Sequence, residues 1–332
     1  MKVWPLIIVL LTLCTTTGVV AQSHWHSASE AIMGTRIHVE LKHQEADKAE
    51  ALLAEVMAEM HRIDHTFSPY KEHSELTKLN NQAGQGWVQV SDELLDLLVK
   101  SAQLSELSGG AFDITYASVG RYYDYREGQA PDDETIAAAV HAIDYKHIEV
   151  DRRTKRVRFL HPAVYVDLGG IAKGHAVDRG IAILTRAGVA QASVSAGGDS
   201  RIVGDRDGKP WTVGVKHPRK EGEMSVVLPL VDTAVSTSGD YERFFEKDGV
   251  RFHHILDPTT GRSASAAMSV TILGPEATLT DGLSTSVFVL GPEAGIQLIN
   301  GLPGIDAIVI DADGKLRYSD GLTDFSNPPS NQ

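Results

Sequence analysis

Cysteine is almost missing from this chain: 332 residues contain one, Cys14, and it sits inside an N-terminal stretch that reads as a leader. A mature chain without it would hold no disulfide, no thiolate metal site and no cysteine nucleophile. Such a composition tolerates an oxidising compartment without depending on one. Positive charge is also scarce. Lys and Arg number 31 against 44 Asp and Glu, a formal net charge of -13. That excludes nucleic acid as the main partner, because phosphate-backbone binding needs clustered cations. The one basic run, residues 152–158, is interrupted by Thr154 and Val157 and reads as a solvated strand or hairpin. Apolar runs long enough to span a membrane are lacking. So are low-complexity tracts, internal repeats and Pro/Ser/Gly-rich linkers.

The N-terminus has the layout of a targeting segment. Lys2 supplies the positive charge, residues 3–13 are mostly apolar, and Val19-Val20-Ala21 offers a small-residue cleavage site. Residues 1–21 are therefore expected to be a signal peptide, and the mature protein exported and periplasmic. Leu11-Thr12-Leu13-Cys14 faintly resembles a lipobox, but Leu13 is large for the position before a lipidated cysteine. Cleavage after Ala21 is the reading adopted; a lipid anchor at Cys14 is the alternative and the only route to a membrane. The folded domain is expected over residues 28–325, with a polar tail at 326–332.

Residues 31–41 read as an opening strand. Ala49, Leu52, Leu53, Val56, Met57, Met60 and Ile63 repeat at the spacing of an amphipathic helix, a core stripe. Ser91-Asp92-Glu93 starts another helix that Ser108-Gly109-Gly110 ends. Residues 132–142 form a short helix, and 146–150 with 156–160 a hairpin. Val164-Tyr165-Val166 reads as a short strand, and a helix follows over 171–186 with Gly188 as its stop. From 193 to 273 the pattern is mostly β, punctuated by glycine turns. Helices at 278–290 and 293–300, a strand at 307–310 and an Asp313-Gly314 hairpin turn close the chain. The whole reads as one α+β domain, of one or two lobes.

Chemistry concentrates in a few places. Val166-Asp167-Leu168-Gly169-Gly170-Ile171-Ala172-Lys173-Gly174 is a glycine turn opening a helix, with a lysine in the first turn. Glycines let the backbone approach a ligand, and free N–H groups at a helix start favour anions. It is neither a Walker A loop nor G-x-G-x-x-G. By spacing alone, a phosphate cradle and a plain tight turn fit equally. Asp281 and Thr285 lie four apart on a helix and share a face. A carboxylate and a hydroxyl are hard ligands suited to Mg²⁺; capping by Thr280 or Asp281 is the blander explanation, and the pair alone favours it. Adjacent His253 and His254 alternate between the faces of a strand, and one could act as a base near neutral pH. A zinc site would need more ligands. Ser236-Thr237-Ser238-Gly239-Asp240 is either a phosphate-binding turn or a strand end. Ser195-Ala196-Gly197-Gly198-Asp199 is a second close-approach turn. A Ser/His/Asp hydrolase lacks its G-x-S-x-G elbow here.

Taken in order, these pieces resemble the ApbE family of FAD:protein FMN transferases. The run is Met33-Gly34-Thr35, Phe67-Ser68-Pro69-Tyr70 through Asn80, Gly110-Ala111-Phe112-Asp113-Ile114-Thr115, the Asp167 to Gly174 block, Ala196-Gly197-Gly198-Asp199, Thr237-Ser238-Gly239-Asp240-Tyr241, His254-Ile255-Leu256-Asp257-Pro258 with Thr260-Gly261, and Asp281 to Thr285. The resemblance implies an α+β fold, a mostly antiparallel or mixed β-sheet core with helices packed outside. It implies Mg²⁺ bound by Asp281, Thr285 and the Gly170 carbonyl. It implies an FAD site lined by Met33, Tyr70, Ala111, Phe112, Asp113, Asp167, Lys173 and Ile255, with His254 as candidate base and Asp281 as a catalytic group through its metal. The implied partners are FAD and a flavin-acceptor protein, a subunit of a membrane redox complex. Two departures stand out: Ser284 occupies a place where some members carry a second acid, and Tyr116-Ala117-Ser118-Val119-Gly120 replaces the usual Val-Gly-Pro. Two other functions are compatible with the same residues: an FAD pyrophosphatase giving FMN and AMP, and an exported FAD-binding protein without chemistry.

Overall fold

The computed structural model describes residues 23–322. The expected signal peptide, Cys14 and the polar tail lie outside them.

Strands β1 (His24–Ile32) and β2 (Thr35–His43) form a hairpin in place of the single opening strand expected at 31–41. Its turn is Met33-Gly34, both with positive φ, 55° and 68°. Two left-handed residues match the right-handed twist of the flanking strands, which is why so short a loop closes here. Helix α1 (Ala46–Phe67) buries the predicted stripe, from Ala49 through Ile63 to Phe67, although Leu52 is only partly covered. Helices α2 (Glu75–Gln82) and α3 (Asp92–Leu107) begin at Ser74 and Ser91, whose hydroxyls accept the N–H groups of Thr77 and Leu94. A side sheet of β3 (Val88–Gln89), β4 (Ile148–Asp151) and β5 (Arg156–Phe159) carries the basic run as a hairpin, with short α4 (Ala117–Gly120) and α5 (Asp133–Ala139) between.

Helix α6 (Ala172–Arg186) is followed by β6 (Ala192–Ala196) and β7 (Asp199–Val203), a ribbon of β8 (Trp211–Lys216) and β9 (Met224–Leu230), then β10 (Ala234–Gly239). A second ribbon pairs β11 (Phe244–Lys247) with β12 (Val250–His253), and a small one β13 (Leu256–Asp257) with β14 (Arg262–Ser263). β15 (Ala267–Gly274), α7 (Ala277–Leu290), α8 (Pro292–Asn300), β16 (Asp306–Asp311) and β17 (Leu316–Tyr318) complete the order. Eight strands make the central sheet, in the order β1-β2-β6-β7-β10-β15-β16-β17. Every neighbouring pair in it is antiparallel. The α+β expectation holds.

Helices α1, α6 and α7 pack side by side across this sheet, α7 over β10 and β15. α7 is buried almost all round although it is rich in hydroxyls. A buried hydroxyl needs a partner, and those of Thr280, Ser284 and Ser286 have one. Thr280 bonds Ser236, Ser284 bonds Ser238, and Ser286 donates to the Gly282 carbonyl. The first-turn N–H groups of α7 are capped from a distance: the Asp178 carboxylate on α6 accepts from Ala277 N at 3.0 Å, Thr278 N at 2.8 Å and Thr278 Oγ1 at 2.6 Å. Capping by Thr280 or Asp281 is thereby corrected, and the Asp281 side chain, one turn further on, is left for other work.

The expected strand Val164-Tyr165-Val166 joins no sheet. A side chain stands in for the neighbouring strand. Asn80 donates to the Val166 carbonyl at 2.9 Å and accepts the Val166 N–H at 2.8 Å, while Ser118 accepts from Tyr165 N and Ile114 O from Asp167 N. The segment is thus held straight as it delivers Asp167 to the glycine turn.

Candidate active site

Helix α6 starts without a side-chain cap, at Ile171, directly after Gly169-Gly170. Lys173 in its first turn reaches back over this start. Its ammonium donates to the Gly169 carbonyl at 3.1 Å and lies 2.9 Å from Asp199 Oδ2 and 3.2 Å from Asp281 Oδ1. Asp281 also accepts the Gly174 N–H through Oδ2 at 2.9 Å. One turn along α7, Thr285 meets the same loop: a Cβ placed on Gly170 would stand 3.3 Å from Thr285 Oγ1 and 3.2 Å from Phe112 Cε2. Asp281, Thr285, Gly170 and Lys173, from two helices and one loop, therefore meet at one place. Ser238 on β10 bonds Ser284 at 2.8 Å and lies 3.4 Å from Thr285 Oγ1.

The charges are unbalanced. Two carboxylates that are almost fully buried face one ammonium. Burial, and then the charge of Asp199, push the Asp281 carboxyl well above the usual aspartate range, against the pull of Lys173. Burial works against the charge on Lys173 as well, but Asp199 and Asp281 outweigh it and raise its affinity for its proton. One positive charge is wanting. The donors beside it are a carboxylate, a hydroxyl and the backbone of Gly170, a hard-oxygen set that fits a small divalent cation completed by water and substrate oxygens. Among the described residues no group of three His, Cys, Asp or Glu side chains converges as a metal site, so a cation here would take the rest of its shell from the hydroxyl, the backbone, water and substrate.

Asp167 accepts the Gly169 N–H at 2.6 Å; burial raises its carboxyl, while that bond, Arg243 and Lys173 pull the other way. Tyr70 stands 84% exposed. Met33 sits in the strained hairpin turn, and its neighbour Gly34 lies against the Arg243 guanidinium, with 3.5 Å from a Cβ position to Nη2. Phe112 and Ile255 are buried, and Ala111 is half-buried beside Phe112. Asp113 spends both oxygens on its own surroundings. Oδ1 accepts from Thr115 N and Oγ1, and Oδ2 from Tyr145 N, so this side chain ties its own turn to the segment at Tyr145.

The two histidines part company as alternation predicts. His253 Nε2 bonds the Ala264 carbonyl at 2.7 Å and its ring packs edge-on to Phe288. His254 turns the other way. Its backbone N–H donates to the Arg243 carbonyl, and its Nδ1 is buried with no partner among the described residues. Burial, then Arg243, depress its pKa to about 3. A buried nitrogen left unpaired is costly unless a ligand supplies the missing bond.

Sequence reasoning gives no role to Asp199, Arg243 or Asp178. Asp199 stands inside a glycine motif, and Arg243 follows Thr237-Ser238-Gly239-Asp240-Tyr241 closely enough to be counted with it. Nothing local marks Asp178, whose partners on α7 are about a hundred residues away. The two glycine turns read as room for a ligand, but part of that room is filled by protein. A Cβ on Gly198 would press on the Thr237 carbonyl, and one on Gly174 on the Ala277 carbonyl.

Known proteins share this arrangement of sequence. The ApbE family model matches residues 33–309. The chain is 32% identical to the FAD:protein FMN transferase of Treponema pallidum, an alignment covering 97% of this chain and 94% of that protein. It is 31% identical to the FAD:protein FMN transferase of Vibrio cholerae, with 96% and 97% covered. The crystal structure of the ApbE protein from Thermotoga maritima superposes with a TM-score of 0.84 at 34% identity, over 92% of this chain and 100% of that one. The flavin transferase ApbE from Vibrio cholerae gives 0.80 at 29% identity, over 90% and 98%. With the family match running from the hairpin turn at Met33 past the Asp281–Thr285 helix, this chain belongs to the ApbE family.

Proposed function

We propose that the protein transfers FMN from FAD to a Thr or Ser hydroxyl of another protein, releasing AMP, in a reaction that requires Mg²⁺. The observation that carries this reading is the meeting of Asp281, Thr285, Gly170 and Lys173 at a buried point short of one positive charge. The names of the relatives supply the donor and the class of acceptor. In the reaction the acceptor oxygen attacks the FMN phosphorus, the bond from that phosphorus to the bridging oxygen breaks, AMP leaves with the bridging oxygen, and the hydroxyl proton passes late in the step to the departing AMP phosphate or to water. Phosphoryl transfer of this kind is mostly positioning and charge neutralisation.

Asp281 and Thr285 would hold Mg²⁺, with the Gly170 carbonyl. Bound there, the ion would supply charge neutralisation for the diphosphate and its leaving group. Lys173 adds a fixed positive charge at the start of α6, where N–H groups favour phosphate oxygens. Asp167 and Asn80 fix the path of the glycine turn. Tyr70 would cover the flavin at the mouth. His254 Nδ1 would accept the hydrogen bond of the incoming hydroxyl and orient its lone pair toward phosphorus. With so depressed a pKa, holding the hydroxyl fits this imidazole better than removing its proton early. Export on the leader ending at Ala21, and an acceptor in a membrane redox complex, belong to the same proposal.

The test is to mix the mature protein, FAD, Mg²⁺ and an acceptor domain carrying a Thr or Ser, then weigh the acceptor. A gain of one FMN unit with release of AMP is the expected result. Free FMN and AMP without an adduct would make the protein a hydrolase, and unchanged FAD a carrier; either overturns the transfer reading.

His254 gives a prediction of its own. Its folded pKa lies below the ordinary 6.5, at about 3, so the free enzyme keeps the imidazole neutral well into acid. kcat/KM for transfer, which reports the free enzyme, should show no histidine limb near pH 6.5. His254→Ala should lower kcat by about 10²-fold with FAD affinity little changed. Stability follows the same sign: it is lost as pH falls from 6.5 toward 3, because only the unfolded chain takes up the proton. A kcat/KM limb at the ordinary histidine value would remove this account of His254.

A further inference from the structure

We propose that Asp199 is a positioning residue that draws the Lys173 ammonium off Asp281, keeping that carboxylate open for the divalent cation. The inference rests on the metal reading given above. Lys173 stands between two acids, and its shortest contact is with Asp199, at 2.9 Å, against 3.2 and 3.4 Å to the two oxygens of Asp281. Without a second acid, an ammonium this close would close on Asp281 alone and compete with any cation for it.

Asp199 is well built for that duty. It opens β7 just after the tight Gly197-Gly198 turn, and its backbone lies between β6 and β10, in register with Ala196 on one side and Ser236 on the other. Strands on both sides fix its Cα in the sheet. Its side chain is 2% exposed, so its charge is little screened by water. Lys173, in contrast, is a flexible stem, a quarter exposed, on the first turn of a helix. An acid fixed in the sheet thus holds a base on a long side chain. Asp281 is held by a backbone donor, Gly174 N, on the same edge. Asp281 is the one carboxylate that α7 carries, so anything that occupies it costs cation affinity directly.

The experiment reads cation binding in the mature protein without FAD, using Mn²⁺ as a paramagnetic probe for the Mg²⁺ site. Wild type should bind one Mn²⁺, and Asp281→Asn should not. Asp199→Asn should bind at least tenfold more weakly, with its thermal unfolding followed alongside. Asp199→Asn combined with Lys173→Met removes the ammonium together with its holder; this pair should recover to within about threefold of wild type. The pair leaves Asp281 as the one buried charge of the three, which a bound cation neutralises, and it keeps the test open if the single variant folds poorly. Asp199→Asn binding within twofold of wild type overturns the inference and leaves the metal reading standing. Weak binding by the combined variant also overturns it, because Asp199 would then be a ligand itself. A wild-type protein that takes up no Mn²⁺ overturns the metal reading and this inference together.

Discussion

Asp281→Asn is expected to cut FMN transfer by about 10³-fold or more while leaving the fold intact, the scale at which removing a charge-stabilising group from a transition state is felt. The substitution keeps shape and removes one formal charge. An amide oxygen still accepts the Gly174 N–H, so the contact between α6 and α7 survives. Lys173 keeps Asp199 as its partner. What disappears is the anionic oxygen that a hard cation requires. Neutralising the residue should not weaken the metal-free fold. Asp281 carries a buried charge beside Asp199, and its raised pKa shows that the folded state resists that charge. Two measurements decide the matter: mass spectrometry of the acceptor after a fixed time with FAD and Mg²⁺, and thermal unfolding without metal. An Asp281→Asn protein that flavinylates its acceptor at the normal rate would end the metal assignment. One that no longer folds would show that the residue is structural first.

Part of this is visible in the sequence, and the rest is hidden for physical reasons. Periodicity carries far: the stripe from Ala49 to Ile63 and the shared face of Asp281 and Thr285 are legible because a helix repeats every 3.6 residues whatever surrounds it. The same spacing does not show what that face meets. The loop opposite Asp281 lies more than a hundred residues earlier, and no local rule joins them. Elements made by one distant side chain mislead in both directions. Val164-Tyr165-Val166 has the composition of a strand, but Asn80 takes the place of its neighbour. The start of α7 looks self-capping, but Asp178 caps it from α6. Small residues are the most ambiguous. Met33-Gly34 needs left-handed backbone, and a hairpin is readable from it only if the strand is taken to begin earlier. Gly174 needs room instead, and room for a ligand and room for another helix look alike in sequence.

Gly174→Ala separates those two readings and is expected to damage fold and activity together. Gly174 lies in the first turn of α6, where α7 crosses it. An added methyl would overlap the Ala277 carbonyl oxygen, stand 2.6 Å from the carbon of that carbonyl and 2.8 Å from Asp281 Cβ. Two of these atoms are backbone of the helix that carries Asp281 and Thr285, so no rotamer change relieves the contact. The helices must part. Overpacking of this kind costs about 3 kcal/mol or more. Parting them also lengthens the Gly174 N–H bond to Asp281 and shifts that carboxylate against Lys173 and Thr285, and a displacement of about 1 Å in a positioned site is worth about 10²-fold in rate. Gly86→Ala is the control. Its Cβ would meet nothing within 4 Å, its φ is not positive, and its effect should stay within about 0.5 kcal/mol. Urea unfolding of the two variants beside wild type, with transfer measured on the same samples, gives the answer. If Gly174→Ala unfolds like wild type but loses FAD binding alone, the glycine serves the ligand after all, and the close crossing of α6 and α7 is not what holds Asp281 in place.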